Sequence, residues 1–154
     1  MRRKDREINN IREIENIINE ADVCRIALST ENVPYIVTMN FGYSGGNEPE
    51  IYFHCAGEGK KTDMIRKNNY VCFEFDTDHV LYGGEKGCDW GMRFRSVVGY
   101  GYITFINDKA EKERAFDIIM DHYVPGKRFT YDPSSLDKAM ILKLTVTDMT
   151  GKKH

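Results

Sequence analysis

One stretch limits what this chain can become more than any other. Between residues 94 and 106 a two-residue period holds without a break, and Gly99 and Gly101 stand inside it. A period of two belongs to a strand, whose side chains alternate between the faces of a sheet. The run is long for one flat strand, and glycines inside strands mark bends or close backbone approach. It reads as a strand that turns a barrel corner.

The rest of the sequence supplies partners for it. Residues 23–29 and 34–41 carry strand patterns and are joined by the short hairpin connection Thr30-Glu31-Asn32-Val33. Ile51, Phe53 and Cys55 alternate with Tyr52 and His54 in a third strand, Val71, Phe73 and Phe75 mark a fourth, and Met140, Leu142, Leu144 and Val146 a last one. Ile8, Ile11, Ile14 and Ile18 recur at helical spacing, which predicts a helix over 5–21. A short helix is expected over 60–69. A longer one begins behind Asp108 and Glu111, with Phe116, Ile119, Met120 and Tyr123 on one face. Residues 42–49, 78–91 and 124–138 read as loops rich in turn residues. The expected fold is mainly β: a six-stranded antiparallel barrel with peripheral α-helices, in one domain over 1–154.

Charge and composition narrow the partners. Lys and Arg number 22 against 24 Asp and Glu, a net charge of -2, which lacks the basic surface that nucleic-acid binding needs. No window approaches a membrane span, and no apolar signal core follows the basic start, so the expectation is a cytoplasmic protein that meets neither membrane nor nucleic acid. Cys24, Cys55, Cys72 and Cys88 form no CxxC pair and are expected as free thiols. His79 and His122 have no partner at metal-ligand spacing, so no metal site is expected.

Local chemistry concentrates between residues 52 and 62. A helix start carries partial positive charge and disfavours lysine, yet Lys60 and Lys61 stand at the expected start of a helix behind Gly57 and Gly59. A bound anion would reverse that penalty, and glycines would let backbone N–H groups approach it. A solvated turn with two surface lysines is the other reading. The segment is no nucleotide-triphosphate loop, because His54 and Lys61 occupy positions that need Gly and Ser or Thr. His54 either lines whatever the lysines anchor or is a hydrogen-bonded histidine at a strand end. The only tryptophan, Trp90, precedes the longest strand, as a lid or subunit contact or as a plug for the open barrel end. Arg93, Arg95 and Ser96 offer donors to a second ligand region or form surface pairs.

These segments together resemble the flavin-binding split-barrel superfamily that includes pyridoxamine 5'-phosphate oxidase, and more closely its nitroimidazole-resistance (nitroimidazole reductase-like) branch. The resemblance rests on the opening Met1-Arg2-Arg3-Lys4-Asp5-Arg6, on residues 34–42, and on 51–56 with Gly59-Lys60-Lys61. It rests further on Cys88-Asp89-Trp90, Arg95-Ser96-Val97 and Thr150-Gly151-Lys152. It implies a six-stranded split barrel that forms a homodimer with FMN between the subunits. In that picture Lys60 and Lys61 meet the phosphate, while Thr38, Met39 and Asn40 run along the isoalloxazine edge. Phe53 and His54 lie under the flavin, with His54 matching the branch's active-site histidine. Arg95 and Ser96 lie near the cofactor, and Trp90 contributes from the partner chain. The implied function is an FMN-dependent oxidoreductase that reduces a small, nitroaromatic-type acceptor, with NAD(P)H as a candidate reductant. The alternative is a non-catalytic flavin or haem carrier or sensor. The basic strand motif and arginine-rich C-terminal segment of true pyridoxamine phosphate oxidases do not occur here.

Overall fold

The long alternating stretch becomes the spine of the sheet. In the computed structural model, which describes residues 3–154, it lies within a strand running Gly91–Ile106. Met1 and Arg2, the start of the matched opening segment, lie outside the described residues. In chain order the elements are β1 (Glu7–Ile8), α1 (Ile11–Glu20), β2 (Cys24–Thr30), β3 (Val33–Met39), β4 (Gly42–Ser44) and β5 (Glu50–Cys55). They continue with α2 (Lys60–Lys67), β6 (Tyr70–Tyr82), β7 (Gly91–Ile106), α3 (Lys109–Tyr123), α4 (Pro133–Lys138) and β8 (Met140–Lys153). All strand pairs are antiparallel, in the order β3-β2-β6-β7-β8-β5-β4, with β1 joined to β8. The end strands β3 and β4 are neighbours in sequence but do not pair, so the sheet curls round a core and stays split.

The glycines of β7 make the curl possible. A Cβ on Gly99 would stand 2.3 Å from the Phe73 ring, and one on Gly101 would stand 2.2 Å from the Thr145 carbonyl oxygen. The β7–β8 register shifts between Tyr100 and Gly101, the bulge that lets a long ladder bend. Inside the curl, Ile26, Leu28, Phe41, Ile51, Phe53, Phe73, Phe75, Val97, Ile103, Leu142 and Leu144 are fully buried. The α2 helix puts Met64 and Ile65 into the same core.

Sequence and structure part at several places. The first helix begins at Ile11, because the Asn10 side chain accepts from the Arg12 N–H and caps it there. Ile8 therefore belongs to β1, opposite Gly151. Eight strands form instead of six, since the short β1 and β4 pair onto the ends of longer ones. Residues 78–82 and 91–95 continue β6 and β7 as a paired arm past a bulge between Thr77 and Val80, where Asp78 has φ +58°. The segment 124–138 contains α4, started by Pro133 behind the Asp132 side-chain cap.

Helices cover the outer surface of the sheet unevenly. Tyr52, Ile106 and Ile141 face outward into a second core with Ala115 and Ile119 of α3. The outward side of β2, β3, β6 and β7 has no such cover. Ile36, Tyr70, Val98, Tyr100 and Tyr102 lie exposed there, Ile36 by 65%. No helix among the described residues is long and apolar enough to cross a membrane.

Candidate functional site

The α2 start keeps the charge conflict that its sequence announces. Gly59 is its N-cap at φ +130° and ψ 170°, a conformation open to little but glycine. No side chain caps the helix, so the first backbone N–H groups face outward. The Gly59 carbonyl accepts from the Asp63 N–H at 3.0 Å and from the Thr62 hydroxyl at 2.8 Å, which fixes the turn. Lys60 lays its ammonium over the Tyr35 ring, 4.4 Å from the centroid, and Lys61 Nζ approaches Met39 Sδ at 3.5 Å. Among the described residues neither lysine has a carboxylate partner. Two ammonium groups on soft, uncharged partners beside an uncapped helix start make a ready anion cradle.

Other residues brace this cradle. Arg66 donates to the Gly57 carbonyl at 3.0 Å and pairs with Asp63 at 3.1 Å, holding the loop before α2. Burial pushes the Cys55 thiol up, while Lys61 and Arg66 beside it act the other way. Tyr35, Cys55 and Arg66 were not marked by sequence reasoning. Only the inward register of Tyr35 with Val37 and Met39 could have signalled the first of them. β3 ends the sheet, so along its far edge backbone N–H and C=O groups lack a strand partner. Met39 points inward to the cradle. Thr38 stands on the outward face beside Arg25, and Asn40 is exposed just past the strand.

The remaining expected residues do not converge on that cradle within one chain. Phe53 is fully buried in the core, on the opposite face of β5 from His54. His54 is exposed and forms no hydrogen bond among the described residues. Its ring lies 5.8 Å from that of Phe116, at a cavity of about 340 Å³ between β5, α3 and α4. Arg95 is held between Asp78 and Glu20, its charge already matched inside the fold. Ser96 sits on the outward face between Asp76 and Lys152. Trp90 does not plug the barrel. It is 55% exposed at the arm tip, flat against Gly83, and its indole N–H donates to the Gly84 carbonyl at 3.1 Å.

A more open depression of about 620 Å³ lies between α1, β4 and α3. Arg114 and Arg128 share it with Asp117 and Asp121, so it offers no single sign of charge.

Comparison with known proteins decides the family. The family description pyridoxamine 5'-phosphate oxidase matches residues 10–153, nearly the whole chain. The chain belongs to this family. It is also similar, at 37% identity, to the crystal structure of a proposed 5-nitroimidazole antibiotic resistance protein from Bacteroides thetaiotaomicron. That match covers 96% of this chain and 86% of the other, with a TM-score of 0.84. Two more distant structures share the fold. A flavocytochrome from Azotobacter vinelandii has 15% identity and a TM-score of 0.83, over 100% of this chain and 72% of that one. An FAD and haem binding protein from Mycobacterium smegmatis has 13% identity and a TM-score of 0.82, over 96% and 73%. No curated protein matches the sequence. Membership in the pyridoxamine 5'-phosphate oxidase family agrees with the split barrel and with the nitroimidazole-resistance resemblance.

Proposed function

We propose that the protein binds FMN at an interface between two copies of itself and passes electrons through it to a small acceptor. The observation that carries this reading is the pair of carboxylate-free lysines at the uncapped start of α2. The cradle fits a phosphomonoester: Gly59 has open space around the point where a Cβ would stand, and the N–H groups beside it are unspent. Lys60 and Lys61 would hold the phosphate. The free backbone edge of β3 at Thr38, Met39 and Asn40 would meet the polar rim of the ring system. FMN, when bound, supplies the redox chemistry, and the protein orients it and excludes water. His54, exposed and without an internal partner, holds a proton at its imidazole that it can offer to an acceptor. A reduced nicotinamide such as NAD(P)H is the reductant in this reading, and a nitroaromatic is the acceptor class suggested by the Bacteroides relative.

The second copy is supported by the bare outer face. Tyr70 stacks on Tyr100 at 6.0 Å and leans on Tyr102 at 4.9 Å, with Val98 and Ile36 exposed beside them. A contiguous apolar and aromatic surface of this kind is what interfaces bury. Thr38 and Ser96 also lie on this face, which explains how residues scattered in one chain belong to one shared site. Arg95, held by Asp78 and Glu20, would support the arm that carries Trp90 toward the partner.

Two measurements test this. The absorption spectrum of the purified protein should carry flavin bands, and FMN should bind at one site per chain. Light scattering should give a dimer that Tyr100→Glu splits. Colourless protein that binds no added FMN overturns the cofactor, and a wild-type monomer overturns the shared site. A carrier without catalysis is the second reading, favoured by the absence of any acid–base group other than His54 near the expected flavin. It predicts that the NAD(P)H-reduced protein is not reoxidised by a nitroaromatic.

A further inference from the structure

The cavity beneath His54 differs in kind from the lysine cradle. It lies on the outer side of β5, roofed by α3 and α4, and has a volume of about 340 Å³, at the small end of the ~300–1,000 Å³ typical of ligand pockets. Its walls are apolar and aromatic. Phe116 lies between two other rings, 5.8 Å from His54 and 5.4 Å from Tyr131, and Ile119, Met120 and Leu136 close the floor. Flat rings set at such distances favour another flat ring stacked or edge-on among them.

Charge decides what kind of ring. No lysine or arginine lines the cavity. Its one carboxylate, Asp132, already accepts from the Ser135 N–H at 2.9 Å and from the Ser134 and Ser135 hydroxyls, and these bonds hold its carboxyl below the usual range. It therefore stays ionised and meets an incoming anion with repulsion. Tyr131 is likewise occupied, donating to Asp117 at 2.9 Å. His54 is the one polar group here that lacks an internal partner, and it points a donor or acceptor nitrogen at the cavity mouth.

We infer that this cavity binds an uncharged, flat aromatic small molecule, hydrogen-bonded to His54 and ringed by Phe116 and Tyr131, separately from the anion cradle at α2. As the place where an electron acceptor waits, it rests on the flavin reading above. As a binding site it does not, so its test is a binding measurement that needs no turnover.

The experiment uses the full chain, with ligand-observed NMR and equilibrium dialysis against two probes of equal ring size, indole and indole-3-carboxylate. Indole should bind saturably at one site per chain, at least tenfold more tightly than its carboxylate. Thr130→Trp, an exposed loop position at the cavity mouth, should weaken indole at least tenfold without changing the melting temperature. Met120→Trp should do the same from within. Lys60→Ala with Lys61→Ala should leave indole binding intact while FMN binding is lost, which separates failure of this site from failure of the flavin reading. Equal binding of the two probes, no saturable indole binding, or indifference to both tryptophan variants overturns the assignment. So does indole binding that emerges only when dilution dissociates the protein, since a second copy then fills the cavity.

Discussion

Two cationic sites in this chain share a residue class and a distance from the middle of the sheet, yet they carry opposite electrostatic states. At the start of α2, Lys60 and Lys61 lean on an aromatic ring and a thioether, with no acid within reach. At the base of the β6–β7 arm, Arg95 is clamped between Asp78 and Glu20. The first charge is available to a ligand. The second has been used to fasten the arm to the end of α1. Positive charge in a sequence marks a binding site only when the fold leaves it unmatched, and local signals such as a disfavoured lysine at a helix start reveal this better than charge itself.

The largest expected effect tests the unmatched side. Lys60→Ala with Lys61→Ala removes two charge-assisted contacts of roughly 1.5–3 kcal/mol each. FMN affinity measured by fluorescence titration should fall about a hundredfold or more, while the melting temperature stays within error. Next comes Gly59→Ala, which forces a side chain into a backbone conformation that costs about 1–3 kcal/mol. Thermal melting should show that loss, and FMN affinity should fall with it because α2 loses its starting turn. Arg95→Gln should do the reverse. The pairs it breaks are partly exposed and worth about 0–1 kcal/mol. A small drop in melting temperature with unchanged FMN phosphate affinity is the expected result, and an affinity loss matching the double-lysine variant would erase the distinction between the two sites.

The smallest effect concerns groups that are neutral at pH 7. Burial, with a carboxylate hydrogen bond, pushes the Tyr52 and Tyr131 phenols up to about 12. Their unfolded value is near 10, so the stability they lend is fully present below pH 10 and is lost as the pH rises toward 12. Ultraviolet titration should show two late phenols, and Tyr52→Phe should flatten the alkaline slope of the melting temperature.

How much of this was legible in the sequence depends on whether an element buries one face. The run from 94 to 106 alternates because its inward residues, Val97, Gly99, Gly101 and Ile103, meet the core and its outward ones do not. Its continuation into the arm was invisible. Val80, Leu81 and Met92 are exposed, no face of the arm is buried, and glycines surround it. β1 and β4 were missed because two or three residues carry no period, and Ile8 fitted the helical spacing until the Asn10 cap excluded it. α4 was hidden in a turn-rich segment, although Asp132-Pro133 is a readable start signal. The lysine cradle was readable because it breaks a local rule. The cavity at His54 was not, since it exists only where α4 closes over α3 and β5, elements far apart in the chain.

The order of the strands also constrains how the chain is made. β8 is the shared partner of β1, β5 and β7, and it pairs Lys152 back to Glu7. Nearly all the other strands therefore leave the ribosome before the strand that joins them. Until β8 emerges, β5 and β7 expose unpaired edges, a state open to association with other chains. So long-range a closure makes for slow folding. Synthesis speed over the final segment, and any chaperone that shelters those edges, should govern yield more than the stability of the finished barrel.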